Sequence, residues 1–223
     1  LQNLSVDYPE LIYDGPFSDN ILTKQPRMTT GAAEVTQKQA LQKASMSTGI
    51  SSTDLSVVTE ENSTMPSWVF SDPDNTISCA VTKNGGYLSY FLKSRMVDNE
   101  TLSMEEGLSK AEQFLSDLGV NSMKTTYYEN YNGILTVNFA YNDNDICVYT
   151  DLIKVSVALD NGEILGYDAR GFLVNHEKRT YSTDRISPLD AQDKLSPMLS
   201  VKRRQLALIP SDGDRELLCY EFK

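Results

Sequence analysis

The chain contains a single histidine, His176, and this limits the catalytic chemistry that its side chains could carry out. A histidine-based hydrolase needs a nucleophile and an orienting acid beside the imidazole. The sequence contains neither a G-x-S-x-G elbow nor an S-x-x-K pair, two motifs that supply serine nucleophiles. His176 stands beside Glu177 and Lys178, just beyond a predicted strand, and we interpret it as a surface linker residue.

Adjacent carboxylates are the second set of residues whose types could support catalysis. They occur as Glu60-Glu61 and Glu105-Glu106. Neighbouring side chains diverge on a strand and lie well apart around a helix, whereas the two carboxylates of a glycosidase face each other at roughly 5–10 Å. The sequence places no two carboxylates in that way, so we predict no catalytic residues and a chain that is not an enzyme.

Acidic clusters at residues 72–75, 143–145 and 212–214 are candidates for calcium binding. None continues into the twelve-residue loop with a closing glutamate that an EF-hand requires. Their Asp, Asn, Gly and Pro residues favour turns for backbone reasons. We therefore interpret all three as turns and predict neither a metal site nor a cofactor.

Cys79, Cys147 and Cys219 are far apart in the sequence, and no C-x-x-C pair is present. Each lies in an apolar, strand-like stretch, which favours a small buried side chain. One disulfide between units remains an alternative.

The charge balance excludes nucleic acid as a partner. The chain has 20 Lys and Arg against 31 Asp and Glu, a net charge of -11, and an acidic surface repels phosphate backbones. The one basic run, Lys202-Arg203-Arg204, is interpreted as solvated. No apolar stretch approaches the 18 or so residues of a membrane-spanning helix, and the chain has the character of a fragment without a signal peptide or anchor.

Two aromatic stretches are candidates for partner binding. The first is the strand segment that contains Tyr127, Tyr128 and Tyr131, which forms either a recognition ledge or half-buried strand positions. The second is an extended N-terminal segment, residues 1–34, in which Tyr13 and Phe17 are apolar and Pro and Gly residues exclude a continuous helix. This segment either packs internally against the first module or docks a partner.

The elements that position these residues begin with a repeated helix-start pattern. Thr36 and Ser103 are each followed three residues later by Gln39 or Glu106, which predicts two capping boxes. A third helix is predicted at Ser187, where Pro188 takes the first helical position. Four residues after each cap the side chain is small: Ala40, Gly107 and Ala191. These small residues predict close approach of each helix to a sheet.

Strand-like stretches follow each helix, and their closing hairpins match. Residues 81–90 align with residues 158–167, including the Asn-Gly turn, a leucine and a final tyrosine. The sequence therefore predicts an α+β protein of tandem cystatin-like modules, each one helix on a four-stranded antiparallel meander. The predicted ranges are 35–98, 99–178 and an incomplete third module at 185–223, whose shortened sheet would leave an edge unpaired.

The hairpin at residues 155–168 resembles the closing hairpin of the PepSY domain family, with its D-x-G-E-I-hydrophobic-G-Y/F pattern. The segment Y-P-E-L-I-Y-D-G-P-F-S-D at residues 8–19, in front of three such units, is similar to the C-terminal region of spore-germination proteins in that family. The first unit departs from the pattern, with Gly86-Tyr87 in place of Glu-Ile and Phe91 where an acid is typical.

The resemblance implies a function and a partner. Proteins of this kind are expected in spores, outside the inner membrane, and are held to the membrane only by an N-terminal anchor that lies outside this chain. They are expected to bind, stabilise and restrain a cortex-lytic enzyme of the SleB type until germination. The alternatives are a module that binds peptidoglycan or cortex, and a peptidase inhibitor like the PepSY units of protease propeptides.

Overall fold

A computed structural model describes residues 24–211 and 215–223 of the chain. Its helices are α1 (Gln37–Thr48), α2 (Met104–Asp117), α3 (Arg170–Asn175) and α4 (Pro188–Gln192). The strands of the first half are β1 (Ser56–Glu61), β2 (Ser67–Ser71), β3 (Ile77–Thr82) and β4 (Leu88–Lys93). Those of the second half are β5 (Met123–Tyr131), β6 (Ile134–Asp143), β7 (Ile146–Ala158) and β8 (Ile164–Asp168), followed by β9 (Arg204–Pro210) and β10 (Glu216–Phe222).

Both predicted capping boxes are confirmed. Thr36 and Ser103 each accept a hydrogen bond from the amide three residues later, and Gln39 and Glu106 return a bond to the cap residue. Ser187 caps α4 through the Asp190 amide. The reciprocal bonds satisfy amides that the first turn of a helix cannot pair internally, so the helix starts are encoded locally.

Strands β1 to β8 pair antiparallel in the order β1-β2-β3-β4-β8-β7-β6-β5, as part of one ten-stranded sheet. Each half is a helix followed by a four-stranded meander, and the two halves join where β4 pairs with β8. The α+β, PepSY-like fold is confirmed, whereas the predicted module boundaries remain predictions.

The third unit attaches to the second through the long strand β7. The C-terminal half of β7 pairs with β8, while its first residues, Ile146–Val148, pair in parallel with β9. β10 then adds antiparallel to β9 and forms an outer edge. A small cluster of Ile146, Val148 and Leu208 is buried at this junction.

Helices α1 and α2 share the face of the sheet on which the main core lies. Ala40 and Ala44 of α1 are fully buried, as are Leu135 and Val137 beneath α2. Gly107 of α2 lies so close to the sheet that an added Cβ would approach the Cδ2 atoms of Leu135 and Leu159 at 2.7 and 2.8 Å. The predicted need for a small residue at this position is therefore confirmed.

We expect Gly107→Val to lower the free energy of unfolding by about 1–3 kcal/mol, because Leu135 and Leu159 are fully buried and cannot move aside without strain. Urea denaturation measures this directly. The matched substitution Ser109→Val, at an exposed position on the same helix, should change stability by less than about 0.5 kcal/mol. Equal effects of the two changes would show that helix propensity, rather than close packing, sets the cost.

Candidate functional site

The face of the sheet opposite α1 and α2 presents a row of polar side chains that crosses the junction of the two halves. Asn138 pairs with Lys154, Lys154 with Asp168, and Asp168 with Tyr90. Because paired residues of neighbouring strands project on the same side of a sheet, these four share one face. The next residue along β4, Phe91, is buried on the opposite, helix-covered face. We call the surface that carries Tyr90, Lys154 and Asp168 the helix-free face.

A groove of about 350 Å³ lies on the helix-free face at the β4–β8 junction. Gly166 contributes only backbone to its lining, next to Ser156, and Leu92 is 58% exposed beside them. The charged residues of the lining are Glu61, Lys154, Asp168 and Arg170. The groove therefore offers an apolar contact at Leu92 and charges of both signs within one depression.

The charged side chains of the groove hold one another in place. Arg170 pairs with Asp168, and its guanidinium lies 5.6 Å from the centre of the Tyr90 ring. The Tyr90 hydroxyl donates to Glu61 at 3.2 Å. Burial raises the pKa of Tyr90, and the neighbouring Glu61 charge raises it further. Tyr90 therefore stays a hydrogen-bond donor, and the groove is preorganised at its polar end.

The predicted tyrosine ledge lies on β5, at the edge of the sheet, and its residues divide between the two faces. Tyr127 pairs with Asn138 and so lies on the helix-free face, together with Tyr131. Tyr128 pairs with the core residue Val137 and projects to the helix side. The exposed fractions are 39% for Tyr127, 42% for Tyr128 and 75% for Tyr131.

A second groove, of about 270 Å³, lies on the helix side between the C-terminal ends of α1 and α2. Met46, Ile50, Phe114 and Leu118 supply apolar lining, and Met46 is 82% exposed. Glu163 closes one end and is held by Lys93 and Arg95. Burial would raise the pKa of Glu163, but its bonds to Lys93 and Arg95 lower it overall, so the carboxylate stays charged.

A buried ionic network joins the second and third units. The Asp151 side chain is fully buried, and the two terminal nitrogens of Arg179 donate to its carboxylate at 2.8 and 2.7 Å. Arg179 also bonds Glu216, the first residue of β10, through Nε at 2.9 Å. His176 places Nδ1 2.7 Å from Asp151. The network therefore ties β10 to the middle of β7.

The interpretation of His176 as a surface linker residue was wrong. The residue follows α3, a helix that the sequence patterns did not indicate, and its imidazole stacks on Phe172 at 4.3 Å. Tyr141 meets the same ring edge-on at 4.6 Å. The imidazole is therefore held among aromatic rings and the Asp151 carboxylate.

One sequence signal could have revealed the network. Asp151 is the one acidic residue of β7 and is buried, and a buried acid requires a cation nearby. Arg179, 28 residues later, supplies it, but nothing in the spacing of the two residues indicates that they meet.

The cysteine prediction holds for Cys79 and Cys147, which are buried free thiols, whereas Cys219 is only partly buried. Burial raises the pKa of the Cys79 thiol to about 12. The basic run at residues 202–204 is exposed, as predicted. Within residues 24–211 and 215–223, no group of three or more His, Cys, Asp or Glu side chains is placed to hold a metal ion.

The chain matches the model of a known protein family. Residues 1–182 match the family model described as "YpeB sporulation, PepSY1 and PepSY2 domains", which is most of the chain. The chain belongs to the YpeB family. The predicted PepSY resemblance is therefore confirmed, and a role connected with sporulation and germination follows from the family.

The chain is similar in sequence, at moderate identity, to YpeB proteins of several bacteria. The chain is 37% identical over 142 residues to the sporulation protein YpeB of Halalkalibacterium halodurans, covering 64% of this chain and 32% of the relative. It is 31% identical over 195 residues to that of Oceanobacillus iheyensis, covering 85% and 43%. It is 33% identical over 155 residues to that of Bacillus subtilis, covering 68% and 34%. The matched part is thus well under half the length of these YpeB proteins.

A solved structure supports the fold. The Bacillus megaterium YpeB C-terminal domain superposes with a TM-score of 0.76 at 26% identity, over 86% of this chain and 88% of that one. Among the residues described for the present chain, no helix is both long and apolar enough to cross a membrane.

Five residues were predicted to bind a partner, and the structure describes three of them. Tyr13 and Phe17, like the turn at residues 212–214, lie outside the described residues. Tyr127, Tyr128 and Tyr131 are exposed on one edge strand, and their role in binding stays a prediction.

We expect Arg179→Met to destabilise the protein by about 3–5 kcal/mol, because it leaves the fully buried Asp151 carboxylate without its guanidinium partner. Thermal or urea unfolding checks this. Lys178→Met, at the exposed neighbouring position, should have little effect. A loss no larger than that of Lys178→Met would mean that Asp151 is hydrated or neutral in the folded protein.

The same network predicts an acid dependence of stability. Burial would raise the pKa of Glu216, but the bonds from Arg179 and Thr150 lower it overall, below 4.5. Its stabilising contribution is therefore present above pH 4.5 and is lost as the pH falls through the lower, folded-state pKa. Glu216→Gln should remove this part of the acid-induced loss, measured by unfolding at a series of pH values. An unchanged acid profile in the variant would contradict the assignment.

Proposed function

We propose that this region is a non-catalytic binding module that holds a spore cortex-lytic enzyme of the SleB type and restrains it until germination. The observation that carries the proposal is the one-sided sheet. Helices α1 and α2 cover one face, and the helix-free face presents a groove across the junction of the two halves. Such a surface is suited to protein recognition, because it combines apolar and charged contacts in a preformed depression.

The environment of the single histidine supports a function without catalysis. The Asp151 carboxylate that bonds His176 is already engaged by Arg179, and the ring is packed against Phe172 and Tyr141. An Asp that orients a catalytic histidine stabilises the imidazolium as it forms. Here the carboxylate already accepts two hydrogen bonds from the Arg179 guanidinium, which fits a structural role.

The proposal is tested with the chain and with a version extended by the N-terminal part of a YpeB protein. Calorimetry should detect binding to the purified lytic enzyme, and the complex should digest cortex more slowly than the free enzyme. Leu92→Asp should weaken binding by roughly tenfold or more, because it replaces the apolar contact of the groove with a charged side chain.

Leu189→Asp is the matched control for that variant, since Leu189 is 65% exposed on α4, outside the lining of the groove. Absence of binding by both the chain and the extended protein would overturn the proposal. Equal affinity for the two variants would leave the partner in place and remove the groove as its site.

A second candidate function is binding of cortex peptidoglycan, and the exposed Tyr127 and Tyr131 beside Glu129 favour it. Aromatic rings next to a carboxylate suit sugar recognition, because each sugar presents an apolar face and hydroxyl groups. Sedimentation with purified cortex in the absence of any enzyme would support it. Measurable turnover of cortex fragments that His176→Ala abolishes would instead establish an enzyme.

A further inference from the structure

Strand β5 forms an edge of the sheet, and residues 127–131 are all exposed. Among the residues that the structure describes, β6 is the only strand paired with it. An edge strand of nine residues is long for this position, because natural proteins shorten edges or block them with proline, bulges and inward-pointing charges. β5 has one bulge, between Thr125 and Tyr127, and none of its nine residues is a proline.

The backbone groups that face outward on β5 can be counted from the turn that follows it. Asn132 and Gly133 both have positive φ, 51° and 77°, and join Tyr131 to its pairing partner Ile134. In a two-residue turn of this kind the flanking residues exchange hydrogen bonds, and bonded and non-bonded pairs then alternate. The amide and carbonyl groups of Tyr128 and Asn130 therefore point away from the sheet, ready to pair with an added strand.

The side chains along this edge are acidic on both faces. On the helix side, Glu100 accepts from Asn130 and Glu112 from Thr125. On the helix-free side, Glu129 lies between Tyr127 and Tyr131 on alternate positions. Two lysines lie near this edge: Lys124, at the start of the strand, is bonded to Gln205, and Lys154 lies two strands inward on the helix-free face, beyond Asn138.

We propose that β5 is the site at which an extended, basic segment of a partner protein adds to the sheet as a further strand. The proposal rests on the proposed function and specifies the surface and chemistry of the partner. Arginine suits this edge best, because its guanidinium pairs with carboxylates through two bonds and stacks on tyrosine rings. Main-chain pairing with Tyr128 and Asn130 supplies affinity, and the acidic side chains supply selectivity.

The same charges disfavour a second copy of the chain. Antiparallel pairing of two β5 strands centred on the exposed stretch places Glu129 opposite Glu129, and like charges directly opposite destabilise a ladder. Each chain also carries a net charge of -11. The edge therefore discriminates against self-association and favours a cationic segment.

The probe is a synthetic heptapeptide in which arginine alternates with valine, and a glutamate–valine peptide is its control. Binding to the 223-residue chain is followed by fluorescence anisotropy at several salt concentrations. We expect the arginine peptide to bind, its affinity to fall as salt rises, and the glutamate peptide not to bind. Equal binding of the two peptides would overturn the proposal.

Two variants of the edge and one control locate the site. Tyr128→Pro removes an outward-facing amide, and Glu129→Lys reverses a charge without altering the backbone; each should weaken binding on the order of tenfold. Val58→Pro is the control, because Val58 is 55% exposed and has no register partner on the opposite edge strand, β1. Unchanged binding by Glu129→Lys, or an equal loss in Val58→Pro, would contradict the proposal.

The same variants separate this proposal from the proposed function. If the lytic enzyme binds the wild-type chain and the Tyr128→Pro and Glu129→Lys variants equally, strand addition at β5 is wrong while enzyme binding stands. If the arginine peptide binds in the expected way and the enzyme does not bind at all, the basic-strand site stands and the proposed partner is wrong.

Discussion

The organisation of the molecule depends on backbone pairing between β4 and β8. Three residue pairs join the two halves, and each joins residues more than 70 positions apart in sequence. On the helix side, Arg95 in the linker after β4 bonds Asp160 and Glu163 and so stabilises the junction. On the other face Arg170 pairs with Asp168 beside Tyr90. Because the halves share one sheet, their uncovered faces combine into one surface, and the groove exists only at that junction.

The helix side of the sheet is closely packed, whereas the opposite face carries an open groove. Gly107 allows α2 to lie directly on Leu135 and Leu159, which completes the core on one face. Gly166 and Ser156 keep the lining of the groove on the opposite face free of bulky side chains. The length of β7 has a further consequence, since its first residues extend beyond β8 and accept β9. The buried contacts of Asp151, Arg179 and Glu216 then hold the third unit to the second.

Much of the local structure could be predicted from sequence, because local bonds encode it. The caps at Thr36 and Ser103, the Asn-Gly turns and the small residue at Gly107 each depend on neighbours within a few positions or on a repeated pattern. Three other features depend on tertiary register, which no local pattern encodes. They are the pairing of β4 with β8, the parallel pairing of β9 with β7, and the ion pair of Asp151 with Arg179. His176 was misinterpreted for this reason, since its stacking on Phe172 requires α3, a helix without a side-chain cap. The tyrosines of β5 were predicted as a cluster, but their division between two faces followed only from the pairing with β6.

The central claim is that a protein partner binds the helix-free face and the β5 edge that continues from it. Amide hydrogen exchange on the chain with and without the purified lytic enzyme tests this most directly, because it reports protection segment by segment. The account predicts slower exchange in residues 127–131, with further protection around Leu92 and Gly166 at the groove. Protection confined to α1 and α2, or to the β9–β10 hairpin, would place the partner elsewhere and contradict the account.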